Sequence, residues 1–370
     1  MDTELLDGVR VIDLGQYILG PFAAQILADL GAEVLKVEPP RGEPMRRMGP
    51  IDKDGVAAFY KLYNRGKRVV ELDLAAGAGA VSFAALVSAA DVLVEGYRPG
   101  ALARLGFSSE RLAALNPRIV HCILSGWGGS GPYARRAGHD VNYMALGGGL
   151  AASGPAEAPA IAYPPVADHA SAVQVALAVT AALFRRQRTG TGAVLDVSLM
   201  ESVLAWQAMN LTQAARGHPP LRAGETLNGG AAFYNLYRTH DGGWISLGAV
   251  EAKFWANFCR AVGREDWAPR HGEALPQTAL IAEVVTLIAG QPLAHWRALL
   301  DPVECCFEAV LDVAEVTAHP QILARGFART HLSPEPLVEV LFPARIDGAP
   351  PRPRAPVAFV TPEEAVAAWI

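Results

Sequence analysis

An α/β fold with a largely parallel, Rossmann-like sheet, joined to a smaller α+β domain, is what this sequence predicts, and three observations predict it. Short β-rich runs alternate with apolar helical stretches from residue 9 to residue 214, the pattern of strand–crossover–strand units. A Gly- and Pro-rich segment at 216–230 then interrupts the alternation. At 370 residues the chain also exceeds one typical domain. The expected division is a large domain over 1–215, completed by the C-terminal 330–370, and a small inserted domain over 216–329.

The first unit reads as a strand at 9–14, a glycine-bounded turn at 15–21, a helix at 22–30 and a strand at 33–37. Strands at 67–72, 91–95, 119–125 and 194–198 follow, with helices at 79–89, 109–115, 168–186 and 200–214 between and after them. Gly- and Pro-rich joints fall beyond the strand ends, where open α/β sheets carry their ligand loops. In the smaller domain, strands are expected near 233–237 and 244–247, and helices at 253–262, 278–289 and 293–300. The stretch 334–356 is Pro-rich and reads as extended, and Thr361-Pro362 begins a last helix with Thr as cap and Pro at the first position.

Composition narrows the class. The apolar fraction is 51%, its excess mostly alanine, and mean hydropathy is +0.20, as for a globular protein with a large core. Lys+Arg number 32 against 37 Asp+Glu, a net charge of −5, and no basic stripe interleaves with aromatics, so nucleic acid is not the expected partner. Cys122, Cys259, Cys305 and Cys306 have no metal-ligand or disulfide spacing; no metal site and a reducing, cytoplasmic setting are expected. The N-terminus lacks a secretory pattern, and the apolar stretch 170–184 is too short to span a bilayer, so no membrane association is expected.

The most informative residues are His139, in Gly138-His139-Asp140, and Asp168, in Ala167-Asp168-His169-Ala170. An imidazole and a carboxylate framed by small residues suit two-base proton transfer. The alternatives are an ordinary loop histidine and a helix-capping aspartate. A dinucleotide site is disfavoured. The first turn, Gly15-Gln16-Tyr17-Ile18-Leu19-Gly20, lacks the middle glycine that lets a pyrophosphate approach the backbone.

Taken in order, several motifs identify a family. They are 6–14 (LDGVRVIDL), Gly20-Pro21, 29–34 (DLGAEV), 36–42 (KVEPPRG), 64–68 (NRGKR), Leu72-Asp73-Leu74, 95–100 (EGYRPG) and Gly126-Trp127-Gly128. The chain resembles the class III CoA-transferase (CaiB/BaiF) family over almost its whole length, and most closely its alpha-methylacyl-CoA racemase branch. The resemblance implies a homodimer of interlocked subunits, each with a large CoA-binding domain and a smaller inserted one. It implies an acyl-CoA thioester as substrate and no cofactor beyond coenzyme A.

By the same resemblance, His139 and Asp168 are the two catalytic bases and Glu251 is the carboxylate that partners the imidazole. Coenzyme A is expected on Ile18, Leu19, Leu72, Asp73, Leu74, Gly96, Tyr97, Arg98, Arg104, Gly138 and Asp140, with the two arginines suited to phosphate. Three departures from the pattern are notable: Pro39 and Ala75 stand where Arg and Lys are common, and His169 follows the acid where the racemase pattern has Phe. Arg41, Lys67 or Arg68 are candidates to replace the missing cations. The leading expectation is racemisation at C2 of a 2-methylacyl-CoA. A CoA-transferase using Asp168 as nucleophile is the alternative, and a non-catalytic acyl-CoA binding protein is a third.

Overall fold

In a computed structural model, residues 4–331 and 335–370 are described. The chain divides into two compact units, the first holding 1–147, 163–205 and 317–370, the second 148–162 and 206–316. These bounds differ from the expected ones at both ends of the insertion. The segment 148–162 goes with the second unit because Asn228 and Arg222 hydrogen-bond its carbonyls at Ala152 and Ala151, 3.0 and 3.1 Å away.

The first unit runs β1 (Arg10–Leu14), α1 (Leu19–Asp29), β2 (Glu33–Glu38), α2 (Ala58–Asn64), β3 (Arg68–Glu71), α3 (Gly77–Ala89), β4 (Val92–Glu95), α4 (Ala101–Arg104), α5 (Ser109–Leu115), β5 (Val120–Ser125), α6 (Asp140–Leu146), α7 (Val166–Thr189), β6 (Ala193–Ser198) and α8 (Leu199–Trp206). In the second unit come α9 (Ala208–Ala215), β7 (Tyr234–Arg238), β8 (Trp244–Gly248), α10 (Ala252–Ala261), α11 (Thr278–Ile288), α12 (Leu293–Leu300), β9 (Phe307–Ala309) and α13 (Val313–Val316). The chain then returns with α14 (Pro320–Arg325), β10 (Ala328–His331), β11 (Leu337–Val340), β12 (Ala358–Phe359) and α15 (Pro362–Ala367).

Six strands of the first unit and β12 form one parallel sheet in the order β12-β3-β2-β1-β4-β5-β6. Alternate residues of each strand feed the two faces, which is why the strands read as continuous apolar runs. Val11, Val34, Val92 and Val94 pack with α1 and α7 on one face. Ile12, Leu35, Val70 and Leu93 pack with Phe83, Leu86, Leu112, Ala365 and Trp369 on the other. The order reverses between β1 and β4, so the ligand crevice of such a sheet lies beyond their C-terminal ends. The tail supplies the outermost strand, with Ala358 opposite Arg68.

Two elements differ from expectation, and a third is extended as expected but paired as a strand. α7 extends over 24 residues; it is long and apolar enough to cross a bilayer, and half of it is buried within the protein. The helix expected at 200–214 is broken at Gln207. The stretch expected to be extended contains β11, which pairs antiparallel with β10; Pro334 falls outside the described residues. In the second unit, β7, β8 and β9 form an antiparallel sheet. Its core holds Trp255, Trp267 and Trp296, whose buried indoles find partners, Trp255 Nε1 donating to Trp267 O at 3.0 Å and Trp296 Nε1 to Ile288 O at 2.9 Å.

A charged network lies under the turn after β1. Lys67 Nζ donates to Asp13 Oδ2 at 2.9 Å, Pro21 O at 2.8 Å and Asn64 Oδ1 at 2.9 Å. Lys36 Nζ donates to Gly15 O at 2.7 Å and pairs with Glu43 at 3.1 Å. Asp13 Oδ1 accepts from Gly15 N at 2.7 Å, and Glu43 Oε2 from Tyr17 N at 2.8 Å. Both lysines and Asp13 have side chains of zero exposure. Burial pushes the Asp13 carboxyl up, but Lys36 and Lys67 outweigh it and hold it below the ordinary carboxylate range. Burial brings the Lys67 ammonium down to about 8. Removing one member leaves buried charge unpaired, so Lys67→Met should lower unfolding free energy by about 3–5 kcal/mol, read from the denaturant midpoint at constant m-value.

Candidate active site

The crevice at the β1/β4 boundary is bordered by two loops. Gly15 and Gly20 touch, such that a Cβ on Gly15 would meet Gly20 Cα at 2.6 Å, which folds the loop into a tight hairpin leading into α1. Ile18 caps that helix and Leu19 begins it. On the other side Gly96, Tyr97 and Arg98 follow β4, and Gly96 lies against Gly15, 3.9 Å from where a Cβ would sit. Arg98 and Arg104 are both exposed, and Arg104 folds back toward Gly100, whose left-handed backbone (φ 77°) starts α4.

The remaining expected coenzyme contacts are less uniform. Leu72 and Leu74 are core side chains, so that segment can offer a ligand only its backbone and exposed Asp73. Asp73 Oδ1 already accepts from Ala75 N at 3.0 Å. Of the substitute cations, Lys67 is spent in the buried network and does not face solvent. Arg68 pairs with Glu33. Arg41 is exposed, its amide bound to Glu71 Oε2 at 3.2 Å.

His139, Asp140 and Asp168 come together in the first unit. Gly138 is wedged between Trp127 and Tyr143, leaving a Cβ only 3.0 and 2.9 Å from their rings, and its carbonyl accepts from Tyr143 Oη at 2.6 Å. His139 follows as the N-cap of α6; its amide donates to Asn142 Oδ1 at 3.0 Å and its carbonyl accepts from Asn142 N at 2.8 Å. Its placement is therefore set by backbone, and the residue is exposed.

Asp140 opens α6, and its Oδ1 accepts from Asp168 N at 3.1 Å, capping the third residue of α7 from another helix. Asp168 is thus not the cap of its own helix but a first-turn residue. Burial pushes its carboxyl up to about 6; Asp140 adds to that rise, while His169 and then His139 oppose it. Both histidines therefore lie within electrostatic reach of the acid. Tyr143 is also raised, by burial and then by Asp168.

Sequence reasoning missed the Asp140–Asp168 contact and the neighbourhood of Tyr63, whose hydroxyl is raised by burial and then by Tyr163 and Asp168. The adjacency of Asp140 to His139 was a visible signal for the first; nothing in the spacing pointed to the second. The amides at the start of α7 are in part already used, since that of Asp168 goes to Asp140 and that of His169 to Pro165 O at 3.3 Å. Glu251 lies in the second unit as the exposed N-cap of α10. Among the described residues no group of acids, histidines and cysteines could hold a metal ion.

Residues 6–357 match the model of CoA-transferase family III. The chain belongs to that family. Human alpha-methylacyl-CoA racemase is 34% identical over 87% of this chain and 81% of its own length. The succinyl-CoA–D-citramalate CoA-transferase of Chloroflexus aurantiacus is also 34% identical, over 86% and 82%. A CAIB/BAIF family protein from Brucella suis, solved as a crystal structure, superposes with a TM-score of 0.85 at 28% identity, covering 99% of both chains. As a family III protein the chain is an enzyme whose relatives act as racemases and as CoA-transferases at similar identity.

The raised Asp168 carboxyl has a measurable consequence. An acid whose folded pKa exceeds its unfolded value, about 3.9, gives stability that is complete below that value and lost as pH rises through about 6. Asp168→Asn should therefore raise the melting temperature at pH 8 by a few degrees and leave it unchanged at pH 4, as followed by calorimetry.

Proposed function

We propose that this enzyme racemises or epimerises C2 of a 2-methylacyl-CoA thioester by two-base proton transfer between His139 and Asp168. The observation that carries the reading is that Asp168, raised to about 6 by burial, feels the His139 charge. Burial has thus brought the acid toward neutrality, where a carboxyl can serve in either protonation state. In one direction neutral His139 takes the C2 proton and becomes cationic, while protonated Asp168 delivers its own proton to the opposite face and becomes a carboxylate. The reverse direction begins from that ion pair. Each base is worth about 10²–10⁴-fold.

Glu251 is assigned as the partner that orients the imidazole, and the acyl-CoA is assigned to the loops after β1 and β4, with Arg98 and Arg104 on its phosphates. The protein is assigned as a homodimer. The exposed Val173, Leu177 and Phe184 on α7 offer apolar surface that a second copy would cover.

The second reading, a CoA-transferase, draws on relatives such as the acetyl-CoA:oxalate enzyme of Acetobacter aceti, also 34% identical. There Asp168 attacks as a carboxylate and carries the acyl group and then CoA in turn. The two readings part at His139. Incubated with 2-methylacyl-CoA in D₂O, the wild type should place deuterium at C2 of both epimers. His139→Ala and Asp168→Asn should each lose racemisation by roughly 10²-fold or more, with at least one retaining exchange from a single epimer. An active His139→Ala protein whose Asp168 is trapped by hydroxylamine as an acyl or CoA adduct would favour the transferase. Replacing Arg98 and Arg104 together should weaken CoA binding by calorimetry; unchanged affinity would remove them from the phosphate site.

A further inference from the structure

His169 stands where the racemase pattern has Phe, and the structure gives it specific partners. Its Nδ1 lies 2.6 Å from Pro165 O. A carbonyl only accepts, so Nδ1 carries a proton. In the neutral ring Nε2 is then the acceptor, and it meets the Tyr63 hydroxyl at 3.4 Å. The ring packs edge-on against Phe22 at 5.2 Å, and Phe22 in turn packs edge-on against Tyr63 at 5.8 Å. An imidazole is thus fixed between α1, α2 and the first turn of α7, one residue from the acid. A phenyl ring would fill the same space without the two hydrogen bonds or the capacity for charge.

The groups around Asp168 are of both signs. From the start of α6 come His139, Asp140 and Tyr143; from α2 comes Tyr63, which also faces Tyr163; on α7 itself comes His169. Asp140 is held close because it caps the Asp168 amide, so this carboxylate always opposes ionisation of its neighbour. His139 is the one cation offset that the proposed reaction itself consumes and regenerates. His169 is the other, and its ring is held in place whatever the reaction step. When it gains a proton on Nε2, the Tyr63 hydrogen bond reverses, Nε2–H donating to the phenol oxygen, with no need for either ring to move.

We propose that His169 is a positioning residue for Asp168: tethered by Pro165 and Tyr63, it supplies a chargeable neighbour that favours the Asp168 carboxylate and partly offsets Asp140. This rests on the reading that Asp168 is the reacting acid. The coupling makes Asp168 easier to ionise whenever the His169 ring carries charge.

The test is a ¹³C NMR titration of the Asp168 carboxyl in the full-length protein, assigned by its loss in Asp168→Asn. His169→Gln keeps hydrogen-bonding capacity and removes the charge; His169→Phe removes both. The expected result is an upward move of the Asp168 midpoint by roughly half a unit or more in both variants, with a matching upward move of the acidic limb of the kcat/KM profile for C2 exchange. A midpoint unchanged in either folded variant overturns the proposal, as does a shift in His169→Phe that His169→Gln fully restores. Should His169→Phe not fold, His169→Gln alone decides. Full activity in Asp168→Asn would instead defeat the reading of Asp168 as the reacting acid, while leaving the titration result interpretable.

Discussion

The first unit depends on charges taken fully out of water beneath its first turn. Asp13 on β1 and Lys36 on β2 are buried neighbours in the sheet, and Lys67 reaches in from the residue before β3. Desolvating such groups costs several kcal/mol each, and hydrogen bonds and ion pairs to the head groups offset that cost. Here many of those bonds come from backbone: Gly15 N, Gly15 O, Tyr17 N and Pro21 O are all bonded to the network. Glu38 extends it, accepting from Tyr60 Oη at 2.7 Å and Glu43 N at 3.0 Å and pairing with Arg46 at 2.8 Å. The turn that starts α1 is consequently held by ion pairs rather than by its own sequence, and α1 packs against α7, which carries Asp168. Fold and site share one constraint.

Two aspartates show how the same scaffold sets opposite charge states. Asp13 is completely buried but has two ammonium groups within 4 Å, and its carboxyl is held low. Asp168 is less buried, has a carboxylate on its amide and only histidines for compensation, and its carboxyl is held high. Coulomb attraction in a low-dielectric site outweighs desolvation in the first case and fails to do so in the second. The scaffold acid is thereby locked as an anion, whereas the site acid is poised to change state. That contrast is a reason to regard Asp168 as functional and Asp13 as structural, although both stand beside lysines, histidines or acids that would look alike in a list of neighbours.

Much of this was legible in the chain. The alternation of β-rich and apolar helical runs located six strands of the main sheet, the inner ones because their burial on both faces writes a continuous apolar signal and the half-exposed β6 through its alternation. Short or amphipathic pieces were not legible. β9, β10 and β12 have three, four and two residues, too few to establish a period, and exist because a neighbouring strand edge accepts them. α6 is seven residues long and is set by the Asn142 cap and the wedge at Gly138 rather than by propensity. At the site, the candidacy of His139 and Asp168 was legible from their surroundings in sequence. The roles of Leu72, Leu74 and Lys67 were not, since a motif residue facing the core and one facing a ligand look the same until the sheet assigns them a face. Asp140 was legible as a neighbour of His139 but not as the cap of a helix 28 positions away.

The two chemistries found among the relatives need not be distinguished by fold. On the readings proposed above, both would use the acid at the start of α7. What differs is the charge the acid must carry when substrate arrives. A nucleophile is useful only as an anion, so surroundings that hold the carboxyl low favour it; an acid–base needs access to both forms. The capping carboxylate of Asp140 and the burial of Asp168 hold the carboxyl high, which suits the second condition. Identity over the whole chain averages hundreds of positions that serve the shared requirements, which is why it is 34% to a racemase and to a transferase alike. The decision between them is concentrated in the few residues that set the electrostatics of one carboxyl group.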